Sequence, residues 1–454
     1  EFNRIWEGSA LAARVLGGVA VQPAAPAPTA PAAPSGGDDD VMRILDMVGG
    51  GDDDSQAAGS PAPAATPAPA ASGGGSRFGA FIAAVAHSGK ANKGVRPDEA
   101  IAMVDQAIGL QLGAILQHPE LRRLEEAWRG VDQLLAATPK QGVILEVVSV
   151  SEDQLLPALT KAIDTSLDAP ASLAIVDAAI DGSAATLGLL RQLGELAESR
   201  ATPIIANATA GLLGHDDLAG IDRLDNKQAL FDAPERAPWR AEANKPAMLW
   251  VSLALNRVLA RQGYDKRTSR LRGTEVAEAP NDREAAYVWT SPCFAVGTLI
   301  MKSFEKTGWP CRITGARDGM VENLPVYETE APGTNERIAL PLEAFFSTET
   351  QKSLARLGVL ALASQPNDDK AYLLTAATAY VPPPKRTYDY DSAEDQVRLP
   401  QASLVDQLFV ARLAQYLQAL GERIGSDNPK SEIEEVVKAA TWELFHNAAP
   451  PGPE

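Results

Sequence analysis

The hydrophobic positions of this chain change their period twice along its length. Between residues 77 and 137 the spacing is helical: Ile101, Val104, Ile108, Ile115 and Leu116 supply one apolar face, and Pro119 opens a further helix. On that helix Leu121, Leu124, Trp128 and Val131 fall at i, i+3, i+7 and i+10, while Arg122, Arg123, Glu125 and Glu126 point elsewhere. The stretch LQHPELRRLEEAWRGV therefore carries one apolar stripe, which packs either on the chain's own core or against another chain. After Pro139 the period shortens. VILEVVSV (143–150), LAIVDAAI (173–180) and PIIANA (203–208) read as strands, separated by helical stretches at 152–166 and 185–199. Such alternation predicts right-handed crossovers and a parallel sheet. AMLWVSLALNRVL (247–259) passes from strand or turn into helix.

The second half repeats the alternation less regularly. AAYVWTSPCFAVGTLIMKSF (285–304) reads as a buried, helix-rich segment, followed by strands at 337–340 and 357–363 and by a strand or sheet edge at 372–380. Amphipathic helices follow at 404–424 and 433–445. Ahead of all this, residues 1–20 suit a short helix with Phe2, Ile5 and Trp6 on one side. Residues 21–76 form an Ala/Pro/Gly/Asp-rich linker, because Pro fixes backbone angles while Ala and Gly bury too little to offset chain entropy. VMRILDMV (41–48) interrupts it as a short docking island. The expected organisation is thus a helical segment at 77–140, a first α/β domain at 141–275, a second α/β domain with C-terminal helices at 276–446, and a frayed tail at 447–454.

Composition narrows the function more by exclusion than by assignment. A hydrophobic fraction of 45% across 454 residues is that of a folded multidomain protein. The net charge of -18 disfavours nucleic acid and anionic lipid as partners, although the basic run KRTSRLR (266–272) remains suited to a solvated loop or an acidic partner. No apolar run reaches membrane-spanning length and no signal peptide is visible, so a cytoplasmic location without membrane insertion is expected. Cys293 and Cys311 lack metal or redox spacing and read as reduced core residues.

Catalytic constellations are equally hard to find. His87, His118, His215 and His446 are scattered, no GxSxG elbow occurs, and Ser88-Gly89-Lys90 lacks the glycine, strand and hydroxyl of a phosphate loop. GARDG (315–319) reads as a tight connection whose glycines take positive backbone angles. Asp177 and Asp181 stand where open α/β sheets bind ligands, but capping and loop solvation explain them. No cofactor, metal site or enzymatic activity is expected.

Against this background several stretches resemble, in the same order, the large sheath subunit of bacterial type VI secretion systems, the TssC/VipB family. They are DEAIAMVDQAIGLQLGAILQHPELRRLEEAWRG, VVSVSEDQLLPAL, RATPIIANA, the Trp239-Arg240 pair with AMLWVSLALNRVLARQGYD, and YVWTSPCFAVGTLIMKSFEKTGWPCRITGARDGMVENLPV. LARLGVLALASQPNDDKAYLLTAAT and LVDQLFVARLAQYLQALGERIGS complete the series, which spans residues 77–426. The resemblance marks Leu121, Leu124, Trp128, Arg129 and Gly130 on one helix, then Trp239 and Arg240, then Trp289, Phe304, Gly308, Trp309, Gly315, Gly319, Val321, Leu324 and Pro325 as signature or interface positions.

What the resemblance implies is a structural protein with a sheath-subunit-like α/β fold of mixed and parallel sheets with packed helices. Its partners would be a small sheath subunit, copies of itself and an inner-tube protein, with a baseplate and a recycling ATPase as further contacts. The heterodimers would polymerise around the inner tube and eject it by contraction. The chain departs from the pattern at Gln415, Gln418 and Gly421-Glu422-Arg423, and it stops before the C-terminal β segment usual in the family. These departures keep open an alternative role as a terminator, baseplate-associated protein or adaptor. A ligand-binding or catalytic α/β protein is a third reading, which the missing constellations disfavour.

Overall fold

The strands at the centre of this protein are buried at every position, because both of their faces are covered. The computed structural model describes residues 97–165, 171–265, 276, 278–279, 282, 284–315, 319–330, 336–383, 401–424 and 430–446. The N-terminal helix, the linker with its island at 41–48, Ser88-Gly89-Lys90, the KRTSRLR run and the tail at 447–454 lie outside these residues. In chain order the elements are α1 (Pro97–Leu116), α2 (Pro119–Ala136), α3 (Leu155–Thr165), β1 (Ala174–Ile180), α4 (Ala184–Arg200), β2 (Ile204–Ala208), α5 (Ala229–Asp232), α6 (Ala237–Ala243), β3 (Val251–Leu255) and β4 (Val258–Arg261). There follow β5 (Val288–Thr290), α7 (Pro292–Thr307), β6 (Met320–Val321), β7 (Tyr327–Glu330), β8 (Arg337–Leu340), α8 (Thr348–Arg356), β9 (Val359–Ala363), β10 (Ala371–Leu373), α9 (Leu404–Ile424) and α10 (Lys430–His446).

The main sheet has the order β1-β2-β3-β9-β10-β6. β1, β2, β3 and β9 run parallel, while β10 is antiparallel to both β9 and β6. Strands from both sides of residue 276 therefore lie in one mixed sheet with packed helices, the α/β architecture expected. Two antiparallel ribbons, β4-β5 and β7-β8, complete the described strands.

Alternation along the strands divides the core into two layers. Ile204, Ala206, Leu253, Leu255, Val359 and Ala361 face a layer built with Leu187, Leu190 and Leu193 of α4, Trp239 of α6, and Phe346. Ile205, Ala254, Leu360 and Leu362 face the other layer, with Phe294, Val296 and Leu299 of α7, Leu134 of α2 and Leu408 of α9. Parallel neighbours need a crossover, and α4 supplies it between β1 and β2. The Ser183 side chain caps this helix by accepting from the Thr186 N–H, and Ala201 ends it in the left-handed region at φ 47°.

Several local expectations change. Residues 143–150 belong to no helix or sheet among the described residues, because strand-forming composition does not by itself supply the neighbour that a ladder needs. The run 247–259 does not become a helix. It forms a short 3-10 turn at Pro246–Trp250 and then β3 and β4, since an unbroken apolar run fits a strand buried on both faces as well as a helix. In 372–380 only the start is a strand, as β10, while Ala377 bridges Ser403 and the Ala379 N–H donates to the Val251 carbonyl at 2.7 Å.

Candidate assembly surface

Helix α2 was expected to offer one apolar stripe, and its environment splits that stripe. Gly130 and Leu134 are buried and Val131 packs on the layer beneath α7, so this side is the docking face. A Cβ on Gly130 would lie 2.2 Å from the Phe294 ring, so glycine is what lets α2 approach α7 this closely. Leu121 is half-buried, whereas Leu124 (54%) and Trp128 (40%) stand exposed. Ile101 (60%), Val104 and Ile108 on α1 are exposed too, and together these residues present apolar side chains to solvent on consecutive helices.

The polar side of α2 ties it to the β4-β5 region. Arg122 donates to the carbonyls of Ala285 and Tyr287. The Glu125 carboxylate accepts from Arg129 at 2.7 Å and from both Nε and a terminal nitrogen of Arg261 at 2.6 and 2.7 Å. Arg261 also donates to Glu278 at 2.7 Å, and Glu278 accepts in turn from Gln117 Nε2 at 2.8 Å and the Tyr264 N–H at 3.1 Å. The Arg261 guanidinium lies 4.4 Å from the centre of the Tyr264 ring. Burial works to raise the Glu125 carboxyl, but the hydrogen bonds from Arg261 and Arg129 and their charges hold it below the usual carboxylate range. Burial works against the charge on Arg261 as well, and the two glutamates outweigh it, raising its pKa. Glu126, without such a bond, is pushed up by burial.

A second cluster gathers Phe304, Gly308 and Trp309 at the end of α7. Gly308 stops the helix in the left-handed region at φ 69°, and its carbonyl accepts from Arg412 of α9. The Arg412 guanidinium sits 4.2 Å from the Trp309 ring centre and 5.2 Å from that of Phe304, and burial lowers its pKa. Downstream, Gly315 takes φ 90° and donates to the Leu373 carbonyl at 2.8 Å. A Cβ on Gly319 would meet the Ile313 carbonyl oxygen at 2.5 Å. Val321 is buried in edge strand β6, and half-buried Leu324 packs on the second layer and donates its N–H to the Asp369 carbonyl at 3.0 Å, next to half-buried Pro325.

The remaining marked residues lie elsewhere. Trp239 is buried edge-on against Phe231 at 4.7 Å, and Arg240 beside it donates to the carbonyls of Phe231 and Ala233. Trp289 packs edge-on against Tyr287 and Tyr327, with Arg257 5.8 Å above its ring centre. Asp181 caps α4 by accepting from the Ser183 N–H at 2.9 Å and the Thr186 hydroxyl at 2.6 Å, and Asp177 accepts from Asn207 at 3.1 Å. Of the cysteines, Cys293 is in the core as expected, where burial pushes its thiol up. Cys311 is exposed instead, because the turn after Gly308 leaves α7 before the strand-like pattern around it acquires a sheet. Among the described residues no group of three or more His, Cys, Asp or Glu is placed to hold a metal, and no helix is long and apolar enough to cross a membrane.

Sequence reasoning missed the Glu125-Arg261-Glu278 network and Arg412. A signal existed for Arg261, a charged residue ending a buried apolar run, but its partners are remote in sequence.

Two comparisons bear on what these surfaces serve. Over 357 residues the chain is 24% identical to the type VI secretion system sheath protein TssC1 of Pseudomonas aeruginosa, covering 74% of this chain and 71% of that protein. Residues 98–380 match the VipB family, described as EvpB/VC_A0108, tail sheath N-terminal domain. That stretch contains α2, the main sheet and the whole of α7, and on this match the chain belongs to the VipB tail-sheath family.

Proposed function

We propose that the chain works as a large-subunit-type component of a type VI secretion sheath. It assembles with a small sheath subunit and with copies of itself into a tube around an inner tube, and contraction of that tube drives ejection. The observation that carries this reading is the tail-sheath match over residues 98–380. The exposed apolar residues of α1 and α2 support it, since side chains such as Ile101, Leu124 and Trp128 gain by burial against a neighbour. The chemistry of the described residues suits assembly: their charged groups form ion pairs that hold elements together, as at Arg261.

The test is negative-stain electron microscopy of the purified chain, alone and co-expressed with the small sheath subunit from its locus. Tubes or cogwheel-shaped rings in the co-expressed sample are the expected result. Monodisperse particles in both samples would refute the polymer and leave a terminator or adaptor role.

A further inference from the structure

Arg236 is a half-buried arginine whose side chain the fold positions and does not use. It closes a 3-10 turn, Pro234–Arg236, and leads into α6, with Pro234 and Pro238 fixing the backbone on either side. From there its guanidinium reaches across the ends of two parallel strands. A Cβ on Gly214 would lie 2.2 Å from one terminal nitrogen of Arg236, and a Cβ on Gly182 would lie 3.6 Å from the other. Gly182 follows β1 and Gly214 follows β2, and both take positive φ, 85° and 83°. The two connections are joined where the Thr209 N–H donates to the Ile180 carbonyl at 3.1 Å. This is the crevice outside the carboxyl ends of parallel strands, where open α/β sheets take their ligands.

Among the described residues the Arg236 side chain makes no hydrogen bond, ion pair or ring contact, although Glu235 precedes it and Asp216 and Asp217 follow Gly214 closely. The Thr209 hydroxyl and the His215 imidazole, half-buried on the connection that carries Gly214, have no hydrogen-bond partner among those residues either. Asp181, the acid at this end of the sheet, is already bound to Ser183 and Thr186 at the start of α4. The helix end is thus occupied, and the guanidinium is the group left to meet a ligand. Its five N–H donors form a planar fork, partly withdrawn from water, that matches the oxygens of a phosphate. A carboxylate fills one edge of that fork, whereas a phosphate keeps oxygens for a hydroxyl and an imidazole. The net charge of -18 opposes any anion at long range, but at physiological salt that field is screened within about 8 Å. We propose that Arg236 anchors a site for a small phosphorylated anion, inorganic phosphate or a phosphomonoester, between the connections that follow β1 and β2.

Isothermal titration calorimetry of the full chain with inorganic phosphate, glycerol phosphate and acetate, at constant ionic strength, tests this. Phosphate or its ester should bind with a Kd below ~1 mM, and the binding anion at ~10 mM should raise Tm by at least ~2 °C. Tighter binding of the ester identifies an organic phosphate as the ligand, and tighter binding of phosphate identifies the free ion. Arg236→Gln should weaken binding at least ~10-fold, and Arg236→Lys, which keeps the charge and loses the fork, should recover only part of it. Because the Arg236 side chain bonds nothing in the described chain, the unliganded Tm of both variants should stay within ~2 °C of the native value. No binding of phosphate or ester, binding no tighter than that of acetate, or binding unaltered in Arg236→Gln overturns the site. The titrations of the native chain decide the matter even if a variant fails to fold. None of these readouts depends on tube formation, so the sheath reading is tested separately.

Discussion

Replacing Arg261 by Met would strand two carboxylates that the fold has drawn away from water. The side chains of Arg261, Glu125 and Glu278 are 8%, 19% and 0% exposed, and the arginine is the cation shared by both acids. Breaking a buried pair from one side costs about 3–5 kcal/mol, because the partner charge remains without its counterion. The lower end fits here, since Glu125 keeps Arg129 and Glu278 keeps the donors of Gln117 and Tyr264. With unfolding entropy of about 2.1 cal/mol/K per residue over roughly 350 residues, such a loss lowers Tm by about 4 °C.

The pH dependence has a definite sign. In the native chain the Glu125 pKa is depressed, so its contribution is present above the unfolded value of about 4.3 and fades as pH falls through the folded pKa. In Arg261→Met one of the two guanidiniums opposing burial is gone and Glu125 titrates higher. The variant's deficit should therefore narrow as pH falls from 7 through about 4.3 and below. Calorimetry of both proteins across that range measures it, and the triple variant Glu125→Gln/Arg261→Met/Glu278→Gln should recover most of the loss. A Tm within ~1 °C of the native protein at pH 7, or a deficit that widens on acidification, would refute the reasoning.

Two further outcomes are expected. Gly130→Ala should destabilise by about 1–3 kcal/mol despite alanine's better helix propensity, because its Cβ collides with Phe294, and combining it with Phe294→Ala in a double-mutant cycle should give strongly non-additive melting shifts. Leu124→Ser with Trp128→Ser should change the stability of the isolated chain by no more than ~1 kcal/mol while reducing tube formation in the electron microscope, since both side chains are exposed.

Much of the architecture was legible because burial leaves a simple mark. β1, β2 and β9 coincide with short apolar runs bounded by turn signals, and α9 follows its amphipathic period over Leu404–Ile424. The run 247–259 was misread because a strand covered on both faces and a buried helix have the same composition. Residues 143–150 were expected as a strand and form none among the described residues, since pairing depends on a neighbour the local sequence does not specify. For α2, periodicity grouped Leu124 and Trp128 with Val131, yet contact with α7 is set by Gly130, a residue without a side chain to count. Arg261 meets Glu125 across 136 residues of sequence, a pairing that no spacing rule reaches.

The order of strands in the main sheet also governs how the chain emerges from the ribosome. β3 has β2 on one side, but its other neighbour, β9, lies on the order of 100 residues further along; at about 5–20 residues per second it is made roughly 5–20 s later. During that interval the Val251–Leu255 edge has no partner strand, and Ile205 and Ala254 await the helix that will cover them. Until synthesis passes Ala363 the nascent sheet is sticky along one edge, so a slow stretch of translation between β3 and β9 would lower the yield of native protein, and a holding chaperone over that interval would raise it.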